Sequence, residues 1–474
     1  MNKISTRFAP SPTGNLHLGS LRIAFYSWLF AKKYNGNFFL RIENTDIKRS
    51  NIKYNNNIFN VLKIFNIIWN NKPVYQIDRI DRYNEIIKYL IDNNKAYICI
   101  CNINYLNDIK KKNILLNKKN KYNKNCRYKY IDIKYLKKKN KNFVVRFKNN
   151  MNGEKIIFKD LIYGDIEIDS NEIDDFIIQR SNNIPTYNFC SVIDDCDMKI
   201  THIIRGNDHI NNTPKQISII KSINENIPMY AHIPIMLNED KKKISKRYNN
   251  NNIISIINNG ILNKSLLNYI YKSDFESNDN NIFNINYMIK NFSLNKIKKN
   301  YKIIDMKKII NINKIIIKNT NNLYYELKKY SEKYNRKFLC LFKNDIYRKK
   351  IEKILNLYNN NFNTLKESLN IIKKFIFNFK LDFNIINNLI NKKKIYFLIK
   401  LIKLVIKEKN NFNTKFIKDE LEKNSLKLRN ISKLLRYILI NNCNGPNIFK
   451  IIEIINKKKI YLNIKKIINF YNKK

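Results

Sequence analysis

Apolar positions recur along this chain in two periods, and the change from one to the other divides it. Leu18, Leu21, Phe25, Trp28 and Leu29 are spaced by three and four, which predicts a helix running to about Tyr34 with one buried stripe. The short apolar segment before it ends at Arg7 as a strand. Asn37 to Glu43 reads as a second strand, and Tyr83, Ile86, Ile87, Leu90 and Ile91 mark a further helix. From Lys3 to about Asn94 strands and helices alternate, the pattern of half a parallel α/β sheet. A lysine-rich section follows. It carries short alternating strands at Phe143–Phe147, Ile156–Phe158 and Asp165–Asp169, separated by Gly153 and Gly164, so an inserted α+β domain is expected there. The sheet resumes at Pro185, with Thr186 to Asp194, Ile200 to Arg205 and Ile233 to Leu237 as expected strands. After Arg247 strands fade, and beyond about residue 315 the period is helical, clearest in the stripe Ile431, Leu434, Leu435 and Ile438.

Composition sharpens this division. Seven of eight Gly, seven of eight Pro and all four His precede residue 261, so the residues that fix backbone geometry and proton chemistry sit in the first half. With 90 Lys and Arg against 38 Asp and Glu, the net charge of +52 points to a polyanionic partner such as nucleic acid. A crowd of Lys, Asn and Ile is also what a very AT-rich genome would impose, and both readings of the charge stand. Seven Cys without a signal peptide suggest reduced thiols in a cytosolic protein and no disulfide framework. The apolar run Ile395 to Ile406, broken by Lys400 and Lys403, is shorter than the roughly 20 residues that span a bilayer, so a soluble chain is expected.

Two stretches carry candidate chemistry. In Arg7-Phe8-Ala9-Pro10-Ser11-Pro12-Thr13-Gly14-Asn15-Leu16-His17-Leu18-Gly19-Ser20, Pro10 and Pro12 hold a loop extended, and Gly14 and Gly19 remove side chains where the backbone bends or a ligand approaches. The helix that follows starts with unpaired N–H groups, which attract phosphate, and His17 stands beside it. The second stretch is Lys243-Ile244-Ser245-Lys246-Arg247, three basic residues in five.

Together the pair resembles the two signatures of class I aminoacyl-tRNA synthetases. Arg41-Ile42-Glu43, Pro185-Thr186-Tyr187-Asn188-Phe189, Asp194-Asp195 and Thr201 to His209 narrow the resemblance to the bacterial-type glutamyl-tRNA synthetases. It is specific to about residue 313 and loose beyond. The resemblance implies a Rossmann-like catalytic domain split between 1–94 and 185–248, an inserted acceptor-binding domain at 95–184, a helical stem-contact region at 249–315 and an all-helical anticodon-binding domain at 316–474.

It further implies that glutamate is joined to ATP as glutamyl-adenylate and then passed to the terminal ribose of tRNA-Glu, by a monomer that uses Mg2+. On that frame His17, Gly19, Lys243 and Lys246 are catalytic. Pro10, Thr13, Gly14, Ser20 and again His17, Gly19 and Lys246 hold ATP. Arg7, Ala9, Ser11, Glu43, Tyr187 and Arg205 surround glutamate. Glu43 suits the substrate ammonium, and Arg205 and Arg7 suit carboxylates, with Arg205 expected to read the side-chain one. Asn44 replaces an acidic residue often found there, and Ser20 a second histidine of some relatives. Cys99, Cys101 and Cys126 resemble the zinc ligands of relatives, with Tyr122 or water as the fourth. Tyr128 stands where some relatives carry histidine, and metal-free cysteines remain the other reading.

A glutaminyl-tRNA synthetase would usually end in β-barrels, a tRNA-modifying paralogue would lack the tail, and a small-molecule nucleotidyltransferase would not need the basic insertion. A nucleic-acid-binding protein on a decayed synthetase scaffold would fail to form adenylate. Whether tRNA-Gln is charged too is left open, because the diverged tail does not map residue by residue.

Overall fold

The structure is a computed structural model that describes residues 3–46, 49–117, 121–139, 141–149, 154–242, 252–275, 281–343, 345–407, 414–423 and 426–472. The chain divides into two compact units, Met1–Ile256 with Leu266–Met306, and Ile257–Ser265 with Lys307–Lys474.

The first unit opens as β1 (Ser5–Phe8), α1 (Leu18–Lys33), β2 (Asn37–Ile42), α2 (Ile52–Ile64), β3 (Val74–Tyr75) and α3 (Ile80–Asp92). β1 and β2 pair in parallel with Ser5 opposite Asn37, and β2 pairs with β3 through Arg41 and Val74. Gly36 is required at the turn into β2, since a Cβ there would lie 2.3 Å from the Ile4 carbonyl oxygen. The section expected as an insertion follows as β4 (Ala96–Cys99), α4 (Ile103–Leu115), α5 (Ile133–Lys138), β5 (Val144–Phe147), β6 (Lys155–Asp160), β7 (Gly164–Asp169) and β8 (Ile177–Gln179). β4, β5 and β8 form an antiparallel sheet of their own.

The expected strand at Thr186–Asp194 is instead a helix, α6 (Tyr187–Asp197). Every residue from Phe189 to Asp195 is buried, apolar and polar alike, so no exposed face marks the helical period that a half-exposed helix would show. Beyond it lie β9 (His202–Gly206), α7 (Thr213–Ser222), β10 (Met229–Ile233), β11 (Met236–Leu237), α8 (Ile253–Asn258), α9 (Asn263–Phe275), α10 (Ile285–Asn291) and β12 (Lys302–Ile303). The run expected as one strand from Ile233 is thus broken at Pro234, which cannot donate to a ladder. A late strand, β12, pairs in parallel with β11.

β9 and β10 are parallel, and β6 joins them: Asp160 lies opposite Tyr230, giving the order β7-β6-β10-β9. The inserted section therefore supplies two strands to the main sheet. Between β1 and β9 the backbone contact is the Thr201 N–H donating to the Ser5 carbonyl at 3.0 Å. The strands on either side of that contact form two ladders, β1-β2-β3 and β7-β6-β10-β9.

The second unit is helical: α11 (Met306–Lys318), α12 (Leu323–Tyr334), α13 (Asp345–Leu357), α14 (Leu365–Ile376), α15 (Phe383–Asn387), α16 (Lys392–Lys407), α17 (Thr414–Lys423), α18 (Leu428–Ile440), α19 (Ile448–Ile454) and α20 (Lys457–Tyr471). The predicted stripe holds, with Ile431, Leu434, Leu435 and Ile438 buried in its core. Among the described residues no helix is long and apolar enough to cross a membrane.

Asparagine takes over a task that glycine usually performs. Of thirteen non-glycine residues with positive φ among the described residues, ten are Asn, and Asn35, Asn66, Asn94, Asn117 and Asn441 each follow a helix end. Asn tolerates this left-handed conformation better than other side-chain-bearing residues. A chain with eight Gly can close its helices this way.

Candidate functional site

A cavity of about 540 Å³ lies where the carboxyl ends of the parallel strands part, lined by Arg7 and Phe8 of β1, Glu43 beyond β2, Arg205 and Gly206 of β9, and Ile233 of β10. Open parallel sheets bind ligands in such a crevice. The loop from Pro10 to His17 forms one wall. It is pinned from outside: the Glu43 N–H donates to the Pro10 carbonyl, the Asn51 N–H to the Pro12 carbonyl, and the Leu16 N–H to Asn57 Oδ1 at 3.0 Å.

His17 caps α1. Its Nδ1 accepts from the Ser20 N–H at 3.2 Å, and its Nε2 lies 3.2 Å from Ser20 Oγ. One N–H of the helix start is therefore committed to the imidazole, whose proton then sits on Nε2. A Cβ at Gly19 would come within 3.2 Å of the His17 ring, so the ring position depends on glycine there. Ser20 and Thr13 complete this side of the cavity.

The floor is a buried charge network. Asp195 accepts from Arg7 Nε at 3.0 Å and Arg41 Nη1 at 2.6 Å, while Arg41 Nη2 donates to Glu43 at 3.2 Å. Asp194, behind them, takes Arg79 Nε, the Tyr83 hydroxyl and the Gln76 amide, each at 2.8 Å. Burial pushes the Asp195 carboxyl up, but Arg41 and Arg7 outweigh it and hold the group below the usual carboxylate range. For Glu43 burial wins over Arg41 and Arg7, and its carboxyl is raised. Glu43 Oε1 also accepts from Ser191 at 3.1 Å.

Arg205 is held differently. Its Nε donates to His232 Nε2 at 3.1 Å, Nη1 to Gln216 Oε1 at 2.8 Å, and Nη2 to Thr213 Oγ1 at 2.8 Å and the His209 carbonyl at 3.4 Å. None of these partners is a carboxylate. Among the described residues Arg7 and Arg41 are ion-paired and Arg205 is not. Tyr187 Oη lies 3.2 Å from His209 Nδ1. Burial, aided by the Arg205 charge, lowers the His209 imidazole to about 4, so it is neutral near pH 7.

Of the residues singled out from sequence, Arg7, Ala9, Pro10, Ser11, Thr13, His17, Gly19, Ser20, Glu43, Tyr187 and Arg205 all line this one cavity. Gly14 is buried within the loop and off the wall. Lys243 and Lys246 lie outside the described residues. Sequence reasoning gave no role to Asp195, which holds Arg7, or to His209 and Arg180 on the wall. Their signal was scarcity: His209 is one of four histidines, and the paired Asp194 and Asp195 stand out in a chain poor in acids.

A second cluster lies at the end of β4. The Sγ atoms of Cys99, Cys101 and Cys126 are all within 4.8 Å of one another, with Cys101 and Cys126 at 3.6 Å. Tyr122 Oη is 3.4 Å from both Cys99 and Cys101. A tetrahedral zinc with Zn–S of about 2.3 Å and Zn–O of about 2.0 Å would set S···S near ~3.8 Å and O···S near ~3.5 Å, close to the Cys101–Cys126, Tyr122–Cys99 and Tyr122–Cys101 separations. Burial opposes ionisation of Cys99, but the Tyr122 hydroxyl and Arg146 bring its thiol below the ordinary value, whereas burial raises Cys101. Tyr128 is 85% exposed, turned to solvent.

An opened parallel sheet with a capped helix start and a charged pocket at its strand ends defines a nucleotide-using enzyme of the class I synthetase kind. Residues 3–311 match the family described as tRNA synthetases class I (E and Q), catalytic domain, and residues 323–468 match the anticodon binding domain family. The chain belongs to the class I tRNA synthetases of this E and Q group. It is 41% identical over 476 residues to the glutamate–tRNA ligase of Buchnera aphidicola subsp. Acyrthosiphon pisum (strain APS), with 99% of each chain covered. It is 40% identical to that of Wigglesworthia glossinidia brevipalpis, covering 99% of this chain and 98% of the relative. The crystal structure of a glutamate tRNA ligase from Elizabethkingia meningosepticum CCUG26117 in complex with its amino acid superimposes with a TM-score of 0.83 over 99% of both chains, at 24% identity, a likeness of fold.

Proposed function

We propose that this chain is a glutamate–tRNA ligase that activates L-glutamate with ATP and transfers it to the 3′ end of tRNA-Glu. The observation that carries the reading is the pocket itself, which Arg205, without a carboxylate partner among the described residues, lines together with the capped start of α1. Full-length relatives bearing that name support it.

In the first step a carboxylate oxygen of glutamate attacks the α-phosphorus of ATP, the bond to the bridging oxygen breaks, and pyrophosphate leaves. In the second, a terminal ribose hydroxyl of tRNA attacks the glutamyl carbonyl and AMP departs. Neither step needs a covalent enzyme intermediate, so positioning and charge stabilisation carry the rate. His17 Nε2–H and the free N–H groups of α1 face the phosphates, and Lys246, with Lys243, acts on the leaving pyrophosphate. Glu43 complements the substrate ammonium, Arg7 one carboxylate and Arg205 the other, with Tyr187 closing the side. Magnesium arrives bound to the nucleotide's phosphates, as it commonly does, where it offsets their charge.

Cys99, Cys101, Cys126 and the Tyr122 hydroxyl would hold one structural zinc. Metal analysis should find one per chain in the wild type, and none after Cys99→Ala with Cys101→Ala; a metal-free wild type ends this part of the reading. The inserted section would contact the acceptor end, residues 249–315 the stem and the helical tail the anticodon. The basic surface then predicts tRNA affinity that falls steeply with salt.

The decisive test is charging of purified tRNA-Glu and tRNA-Gln with labelled glutamate and glutamine, alongside ATP–pyrophosphate exchange. Glutamyl-tRNA-Glu supports the reading. Label on tRNA-Gln as well would make the enzyme non-discriminating. No exchange with any amino acid would leave a tRNA-binding scaffold without the chemistry.

A further inference from the structure

Behind Arg205 lies a buried pair that the reaction as described does not use. Asp160, the last residue of β6, is 1% exposed, and His232 on β10 is fully buried. Asp160 Oδ1 accepts from the Ile162 and Tyr163 N–H groups, both at 2.9 Å. Its Oδ2 accepts from the His232 N–H at 3.1 Å and from His232 Nδ1 at 2.7 Å. Every face of this carboxylate is thus committed to a donor. The four bonds, led by the imidazole, outweigh burial and keep it in the ionised range.

An ionised carboxylate at 2.7 Å fixes the imidazole proton on Nδ1. Burial lowers His232, against the pull of Asp160, so the ring is neutral and Nε2 carries a lone pair. That lone pair faces Arg205 Nε–H at 3.1 Å, with the Thr213 hydroxyl, itself bonded to Arg205 Nη2, at 3.2 Å beside it.

We propose that Asp160 and His232 are positioning residues for substrate selection: by locking one imidazole tautomer they orient the Arg205 guanidinium toward the side-chain carboxylate of the amino acid. This rests on Arg205 reading that carboxylate. A ring with its proton on Nε2 would set donor against donor, and Arg205 would turn away. The neutral character of the relay matters, because it orients the guanidinium without consuming the charge that the substrate carboxylate must meet. Asp160 reaches this position because β6, from the inserted section, pairs with β10 at Tyr230. One role of the insertion is therefore to buttress amino-acid selection from within the sheet.

Two near-isosteric substitutions separate this from a packing role. In His232→Asn the amide N–H can replace Nδ1 toward Asp160, but no acceptor reaches Arg205. In His232→Gln the amide oxygen can replace Nε2 toward Arg205, while the Asp160 bond is lost. The ratio of kcat/KM for glutamate over glutamine, from ATP–pyrophosphate exchange on the full-length enzyme, should fall about tenfold or more in His232→Asn, the loss expected for one hydrogen bond to a charged group. It should stay within about threefold of wild type in His232→Gln, with KM for ATP little changed in both. Equal effects from the two variants would overturn the proposal. Arg205→Gln is the reference: if it leaves the ratio unchanged, the underlying reading of Arg205 fails, whereas a fall there with none in His232→Asn sinks the relay alone. Should the variants not fold, imidazole nitrogen shifts of the wild-type protein decide. A neutral ring protonated at Nδ1 is expected for His232, and a charged or Nε2-protonated ring refutes it.

Discussion

The two units bury different chemistry. In the first, Arg7, Arg22, Arg41, Glu43, Asp194, Asp195 and His232 are all buried, and each has a hydrogen-bonded neighbour. In the second, the core is aliphatic and aromatic, from Ile317 to Ile467, with Lys459 as its buried charge among the described residues. A buried ion pair demands particular residues at particular distances, whereas an apolar core demands mainly volume. The first unit therefore admits few alternatives at these positions, whereas the second admits any sequence that keeps its helices and fills the same volume.

The contrast can be broken most severely at Asp195. Asp195→Ala would leave Arg7 and Arg41 buried with one shared partner missing, at a cost of about 3–5 kcal/mol in denaturant unfolding, and glutamate-dependent pyrophosphate exchange should vanish with it. Retained stability would mean that water or Asp194 takes over. Next is Leu434→Ala in the second unit, expected to cost about 3 kcal/mol from the cavity it opens while adenylate formation continues. A smaller change, Ile438→Val, should cost about 1 kcal/mol and leave tRNA charging intact, as suits a core that specifies volume. A loss of several kcal/mol there would show a core as exacting as the first unit's.

A pH-dependent effect concerns Lys459. Burial, with Lys350 nearby, lowers its ammonium to about 7, although the Lys374 and Phe377 carbonyls at the end of α14 accept its protons. The unfolded chain, with an ordinary lysine near 10.5, binds more protons between about pH 7 and 10.5. Stability of the wild type should thus rise with pH across that window and be lost again as pH falls toward 7. Lys459→Met should flatten the slope. A slope unchanged in the variant would assign the effect elsewhere.

How much of this was legible follows the same line. The helix from Leu18 and the strand from Asn37 could be read because each couples a clear period to glycine and proline at its ends. The helix at Tyr187 was misread as a strand because it is buried on all sides. Most of the pocket wall was legible through resemblance, since its residues sit in short contiguous motifs. Asp160 and His232 were not, being 72 residues apart and joined only when β6 pairs with β10. No local pattern distinguishes an aspartate that ends a strand from one that steers a histidine.

Asparagine–glycine pairs at helix ends tie the enzyme's chemical lifetime to its fold. At Asn35-Gly36 and Asn259-Gly260 the glycine nitrogen could attack the preceding side-chain amide, expelling ammonia through a succinimide and leaving aspartate or isoaspartate. In the native chain the Gly36 N–H donates to the Ala31 carbonyl and the Gly260 N–H to the Ile257 carbonyl, both at 2.8 Å, which holds each nitrogen away from that reaction. Ageing at these two sites should therefore track excursions into unfolded states rather than elapsed time, making deamidation a cumulative record of how often each unit has opened. Peptide mapping after storage below and near the unfolding temperature would read that record, with the two sites reporting on different units.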